Sequence, residues 1–259
     1  MIAVRNLSVT YRSSEREKRA VLGVDLAVER GRMVALAGES GSGKSTVLMA
    51  IPGLLPATAA TSGEILLDGR DLLTCSEAEL NAVRWRRIAL VPQGAMNSFT
   101  PVLTVGRHVE EELEVHLGLS KREARERIPA LFALAGLDGG LAARYPHELS
   151  GGQKQRSAIA LALACNPEYL LCDEPTTALD VVTQRDIVVT LRRLVDEQGV
   201  GMLLVSHDLP LAASVADRLC IMKDGRLVEE GEPRTIVDHP ANPHTRALVG
   251  ALRELEEAP

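Results

Sequence analysis

The sequence predicts an α/β protein whose buried strands run parallel, interrupted by a block of helix. Three observations carry this. Short, wholly apolar runs alternate with helical segments along the chain. One of them, GRMVALAG at 31–38, runs straight into the glycine-rich loop GESGSGKST at 38–46. From about residue 103 to 164 the texture turns to helix alone, and strand signals then return.

Taken in order, IAVRNLSVTY at 2–11 and AVLGVDLAV at 20–28 read as two strands. After the glycine loop, STVLMAI at 45–51 is a helix stopped by Pro52 and Gly53. GEILLDGRDL at 63–72 reads as strand and turn, and RIALVPQ at 87–93 as a buried strand. Three helical stretches follow with short breaks: 104–119, 121–137 and 150–165. EYLLCDEP at 168–175 and GVGMLLVSHD at 199–208 restore the strand pattern, and between them Ile187, Leu191, Leu194 and Val195 form one apolar helix face. CIMKDGRLVEEG at 220–231 is a hairpin with Asp-Gly at its turn, and the tail ends in an amphipathic helix.

Composition narrows the function. The 259 residues are 46% hydrophobic and 25% charged, as in an ordinary globular protein. The net charge of −6, with acids and bases interspersed, argues against a binder of nucleic acid through a broad basic face. No run approaches the roughly 18 apolar residues of a membrane span, and the N-terminus lacks a signal peptide's apolar stretch, so the expectation is a cytosolic protein. Four scattered cysteines, Cys75, Cys165, Cys172 and Cys220, read as small buried thiols. His239 and His244 fall in a proline-rich turn rather than a metal site.

The loop from Gly38 to Ser45 matches the P-loop pattern in full. Small residues let backbone N–H groups close around a phosphate, Lys44 reaches the β- and γ-phosphates, and the Ser45 hydroxyl ligates Mg²⁺. The helix behind it adds its N-terminal dipole. Asp173 and Glu174 close an apolar strand, and ligands in open α/β sheets sit at carboxyl ends of strands. Asp173 would face the Mg²⁺, and Glu174 could orient or deprotonate a water. Gln93 and His207 also follow apolar strands and would land near the γ-phosphate. A second glycine pair, in LSGGQKQR at 149–156, precedes an apolar helix although glycine costs a helix about 1 kcal/mol against alanine.

With these residues assembled, the chain resembles the ATP-binding subunit of ABC transporters over nearly its whole length. The motifs stand in the family's order: P-loop GESGSGKST, Q-loop glutamine Gln93, signature LSGGQKQR, acidic strand LLCDEP, D-loop Ala178-Leu179-Asp180 and switch histidine His207. The resemblance implies a P-loop NTPase (RecA-like) core with an antiparallel β subdomain and an inserted α-helical subdomain. Residues 1–259 would form one ATPase domain, with the core at about 1–92 and 159–232, the helical subdomain at about 93–158 and the tail at 233–259. It also implies ATP and Mg²⁺ as ligands. Tyr11 would stack on adenine. Gly38, Glu39, Ser40, Gly41, Ser42, Gly43, Lys44, Ser45 and Thr46 would hold the phosphates. Ser45, Gln93 and Asp173 would serve the metal. Lys44, Gln93, Glu174 and His207 would carry hydrolysis, with Glu174 as base.

In such a family two subunits pair head to tail. Ser150, Gly151, Gly152 and Gln153, with Asp180, would then close over the partner's nucleotide. Ser150 and Gln153 also fit a capping box, so a local role accompanies the one in trans. Two stretches, MNSFTPVLTVG at 96–106 and HPANPHTRALVGAL at 239–252, resemble the dipeptide, oligopeptide and nickel importer branch. The expected partners are separate transmembrane permeases, a second ATPase subunit forming a heterodimer or homodimer and, indirectly, an extracytoplasmic substrate-binding protein, with no nucleic acid. The expected location is the cytoplasmic face of the inner membrane. Longer members of this branch carry a cysteine cluster near the C-terminus; only Cys220 lies late in the sequence, so none is expected. The alternatives are an exporter or lipoprotein-release ATPase and, less favoured, a soluble family member acting on ribosomes or DNA.

Overall fold

Eleven alternating residues, Ile2–Arg12, form β1, and the next such run, Glu17–Val28, forms β2. The wholly buried Met33–Gly38 is β3, and the glycine loop after it opens into α1, Lys44–Ala50. β4 (Ala59–Leu67) and β5 (Arg70–Asp71) follow, then α2 (Glu77–Val83) and β6 (Ile88–Val91). The helical block holds α3 (Val105–Leu117), α4 (Lys121–Leu134) and α5 (Gly151–Ala162). Next come β7 (Tyr169–Asp173), α6 (Val181–Gln198), β8 (Gly201–Ser206) and α7 (Leu209–Val215). The chain closes with β9 (Arg218–Lys223), β10 (Arg226–Gly231), α8 (Pro233–Asp238) and α9 (Pro243–Glu257). These elements come from a computed structural model that describes residues 1–12 and 17–257; the last two residues of the expected tail lie outside the described residues.

The chain divides into two compact units, Met1–Ser76 with Leu203–Pro259, and Glu77–Met202. In the first, β2-β1-β4-β5 make an antiparallel sheet, and β10, β9, β3 and β8 are successive neighbours in another. β3 and β9 pair in parallel, Val34 opposite Arg218 through Gly38 opposite Met222. The β9–β10 hairpin turns at Asp224 and Gly225, both at positive φ (46° and 79°), the backbone that an Asp-Gly two-residue turn needs. Ala35 and Ala37 of β3, Leu219 and Ile221 of β9, Leu209 and Ala212 of α7, Ile236 of α8 and Val249 of α9 make one buried cluster.

In the second unit β6 and β7 pair in parallel, from Ile88 opposite Tyr169 to Val91 opposite Cys172. β7 is buried along its whole length, as the run EYLLCD predicts. The face of α6 read from the sequence is buried at Ile187, Leu191, Leu194 and Val195. Arg156 of α5 donates to the Ala135 carbonyl after α4 (3.1 Å) and to the Thr190 hydroxyl of α6 (2.9 Å), so one guanidinium joins three helices. Arg86 donates to the His116 carbonyl at the end of α3 (2.8 Å) and thereby caps it.

Two expectations need correction. β4 begins at Ala59, not at Gly63, because Ala59–Ser62 pair with Tyr11–Ser8 of β1. Small residues give no strand signal of their own; the partner strand recruits them. The sequence reading assigned no element to α2, of whose seven residues only Val83 is buried. Cys75 is partly exposed, whereas Cys165, Cys172 and Cys220 are buried as expected, with burial pushing the Cys165 thiol up to about 11.

Candidate functional site

The first unit presents the glycine loop. β3 delivers Gly38, and the backbone then runs through positive φ at Gly38 (145°), Gly41 (80°) and Gly43 (105°). The first and last of these are also dictated by close approach. A Cβ at Gly38 would overlap the Met222 carbonyl oxygen of β9, and one at Gly43 would overlap the Ala20 carbonyl of β2. Lys44 is 4% exposed, and its ammonium donates to the carbonyls of Gly38 and Glu39, both at 2.8 Å, with the Ser42 hydroxyl at 3.4 Å. A buried ammonium held at the loop by its own carbonyls is a cation placed to meet a phosphate that the loop's N–H groups would cradle. Glu39, Ser40 and Gly41 form the exposed rim, and Ser45 and Thr46 lie half-buried at the helix start. The Tyr11 hydroxyl sits 3.2 Å from the Thr46 hydroxyl, so the aromatic ring is tethered at the loop's edge. His207 follows β8 and is exposed. Its neighbours are fixed: the Asp208 N–H donates to Ser206 Oγ (3.0 Å), and Asp208 caps α7 at Leu211 (2.8 Å).

The second unit carries the acidic strand end and the second glycine pair. Asp173 ends β7 and is 5% exposed. Glu174 has φ 47°, left-handed backbone that a non-glycine residue adopts at some cost. Its Oε2 accepts from the Gln93 amide (3.1 Å) and the Thr177 hydroxyl (3.0 Å). The two residues read independently from two strand ends are therefore bonded to each other. Ser150 forms the expected capping box: its Oγ accepts from Gln153 N (3.2 Å), and Gln153 Oε1 accepts from Ser150 N (2.9 Å). The remainder of α5 is buried at Ala158, Ile159, Ala160 and Ala162, the burial that offsets its glycines.

Asp180 caps α6 by accepting from Thr183 N (3.0 Å) and Thr183 Oγ1 (2.7 Å). Those bonds, the backbone one first, hold its carboxyl below the ordinary aspartate range. Thr183 also explains Gly152. A Cβ there would lie 2.6 Å from Thr183 Cγ2, so any side chain at that position would force Thr183 or its helix to shift. Sequence reasoning missed this local demand, and it missed Thr177 and Gln184. Gln184 donates to the carbonyls of Thr176 (3.2 Å) and Leu179 (3.1 Å) and so holds the loop between Glu174 and α6. Asp180-x-x-Thr183 is itself a helix-start pattern legible in sequence.

Among the described residues no group of three or more His, Cys, Asp or Glu side chains is placed to hold a metal ion. Mg²⁺ does not need one. It takes one or two protein oxygens and completes its shell with phosphates and water. The Ser45 hydroxyl of the first unit, and the Asp173 carboxylate and Gln93 amide oxygen of the second, are each hard donors of the chemical kind that suits the ion. No helix of the described residues is long and apolar enough to cross a membrane.

A family model described as ABC transporter matches residues 21–177. A Brucella ovis protein named as a peptide import ATP-binding protein is 40% identical over 267 residues, covering 100% of this chain and 79% of that one. The oligopeptide transport ATP-binding protein OppD of Mycobacterium tuberculosis is also 40% identical, over 261 residues, with 100% of this chain matching 43% of its length. Among solved structures, the dimeric post-hydrolysis state of the ATP-binding cassette MJ0796 bound to ADP and Pi superposes with a TM-score of 0.80. It is 36% identical and covers 90% of this chain and 99% of its own.

Proposed function

The chain belongs to the ABC transporter ATP-binding family, and from that premise we propose that it is the ATP-hydrolysing subunit of an importer for peptides, nickel or a related small solute. The observation that carries the reading is the buried Lys44 ammonium turned into the glycine loop. The importer assignment draws its support from relatives named for peptide import and oligopeptide transport.

ATP would lie with adenine on Tyr11 and its phosphates in the loop from Gly38 to Thr46, Lys44 neutralising the β and γ oxygens. Ser45, Asp173 and Gln93 would hold Mg²⁺, which would supply positive charge against the charge developing on the phosphates. Hydrolysis is in-line attack by water, and positioning with electrostatics does most of the work. Glu174 accepts the water's proton. Its bond to Gln93 makes the glutamine a sensor of the base's position, and the strained φ of Glu174 aims the carboxylate. His207 holds the terminal phosphate and the water.

The second glycine pair serves a partner. Ser150, Gly151, Gly152 and Gln153, with Asp180, would close over the nucleotide of a second ATPase subunit arranged head to tail, as heterodimer or homodimer. The dimeric MJ0796 structures support such an arrangement. Separate permease subunits would dock beside Gln93 and residues 96–110, which places the protein on the cytoplasmic face of the inner membrane. A substrate-binding protein outside the membrane would select the solute. We read residues 1–92 and 159–232 as the catalytic core, 93–158 as the helical subdomain and 233–259 as the tail.

Glu174→Gln tests the chemistry. The amide oxygen still accepts from Gln93 and Thr177, so ATP binding persists, turnover falls at least about a hundredfold and a dimer accumulates with ATP. Turnover at the wild-type rate would remove Glu174 as base. Purification with permeases in detergent tests the importer; capture of ribosomes instead would defeat it.

A further inference from the structure

One carboxylate knits the tail to the hairpin. Glu229 of β10 accepts the backbone N–H of Ala241 at 2.8 Å through one oxygen and that of Asn242 at 3.1 Å through the other. The Asn242 side chain returns the bond, donating to the Val228 carbonyl (3.1 Å) and accepting from His244 N (2.9 Å) at the start of α9. Pro243 opens that helix with a φ already suited to it. Burial alone would raise the Glu229 pKa. The donors around it, the two backbone amides and Arg246 among them, more than reverse this, so the carboxyl lies below its ordinary range and is charged at neutral pH.

The loop so held fixes where α9 begins, and α9 contributes Val249 to the buried cluster that also holds Ala35 and Ala37 of β3 and Leu209 and Ala212 of α7, with Leu248 and Leu252 packed against that cluster. β3 is the strand that ends in Gly38. α7 is the helix that starts two residues after His207. The tail therefore shares a core with the two elements that present the phosphate loop and the histidine.

We propose that Glu229 is a positioning residue for ATP hydrolysis: by clamping residues 241–242 it seats α9 behind β3 and α7 and thereby holds Gly38–Lys44 and His207 in register. This rests on the roles given above to Lys44 and His207. Glu229 touches no reacting atom; it acts through the seat of a helix, and small displacements at a reacting centre cost rate steeply, about a hundredfold for 1 Å.

The test uses the full chain with Glu229→Ala, Glu229→Gln and Val249→Ala, reading amide hydrogen exchange over 241–252 and ATP turnover on the same samples. Glu229→Ala should raise exchange there at least about tenfold. It should lower kcat about threefold to tenfold, with KM for ATP within about twofold, the pattern of lost transition-state positioning. Glu229→Gln keeps one of the two acceptor oxygens, without the charge, and should fall between. Val249→Ala loosens the seat without touching the carboxylate and should lower kcat with KM held; combined with Glu229→Ala the losses should be less than additive, since both act on one helix. If Glu229→Ala does not fold, Glu229→Gln and Val249→Ala decide. Freed amides with unchanged kcat would overturn the positioning role, and unchanged exchange would overturn the clamp. A wild-type chain that does not hydrolyse ATP would defeat the ATPase reading and the positioning role together; the exchange data keep that result distinct from failure of the clamp.

Discussion

Ser150 has two jobs, and substitution separates them. Its hydroxyl accepts Gln153 N at 3.2 Å to cap α5, and the proposed assembly brings the same helix tip to a partner's terminal phosphate. Losing a serine N-cap costs about 1 kcal/mol. Unfolding entropy is about 2.1 cal/mol/K per residue. Over 259 residues that is about 0.54 kcal/mol/K, so Ser150→Ala should lower Tm by about 2 °C. Aspartate caps as well as serine, so Ser150→Asp should leave Tm within about 1 °C of wild type. Its charge, however, would face phosphate. Two unit charges about 4 Å apart at an effective dielectric of about 20 repel by about 4 kcal/mol, roughly a thousandfold in rate. Ser150→Asn supplies a cap without the charge and should hydrolyse faster than the aspartate variant. Thermal melts and phosphate release measure both effects. An aspartate variant with normal Tm and normal turnover would show that no anion approaches this tip, and the trans role of the signature would fall.

Two further outcomes follow from the same region. Gly152→Ala places a methyl 2.6 Å from Thr183 Cγ2, so overpacking of about 1–3 kcal/mol outweighs the helix gain of about 1 kcal/mol. Melts should show recovery in Gly152→Ala with Thr183→Ser, which deletes that methyl; a double variant no more stable than the single one would exclude the contact as the cause. Asp180 titrates below the ordinary aspartate range because Thr183 bonds its charged form, so its contribution to stability is complete above the unfolded pKa and is lost as pH falls through the folded one. Carboxyl titration by NMR should give a midpoint under that of a model aspartate and move only part of the way back in Thr183→Ala, which loses the hydroxyl but keeps the backbone donor; a wild-type midpoint at or above the model value would refute the cap.

Much of this was legible in the sequence because its signals are local. Apolar runs marked β3, β6, β7 and β8, Asp-Gly marked the β9–β10 turn, and Ser150-x-x-Gln153 marked the start of α5, all at the positions found. What escaped depends on partners distant in the chain. Ala59–Ser62 become strand only because β1 offers an edge. Gly152 needs Thr183 across a helix pair, and Gln93 needs the turn that carries Glu174. Glu229 looked like one more acid in a hairpin, and nothing in EEGEP announces the two amides it holds. Spacing reveals periodicity and caps, whereas pairings formed by the tertiary fold leave no such trace.

The carbonyls of Met222 and Ala20 that crowd Gly38 and Gly43 bear on how the molecule comes to fold. A loop contoured by oxygens from the second strand and the ninth cannot take its shape from its own nine residues. Such distant pairings form slowly and late in folding. A nascent chain would thus expose its lysine long before it had a cradle, and competence to bind nucleotide would arrive abruptly, when the last strands close.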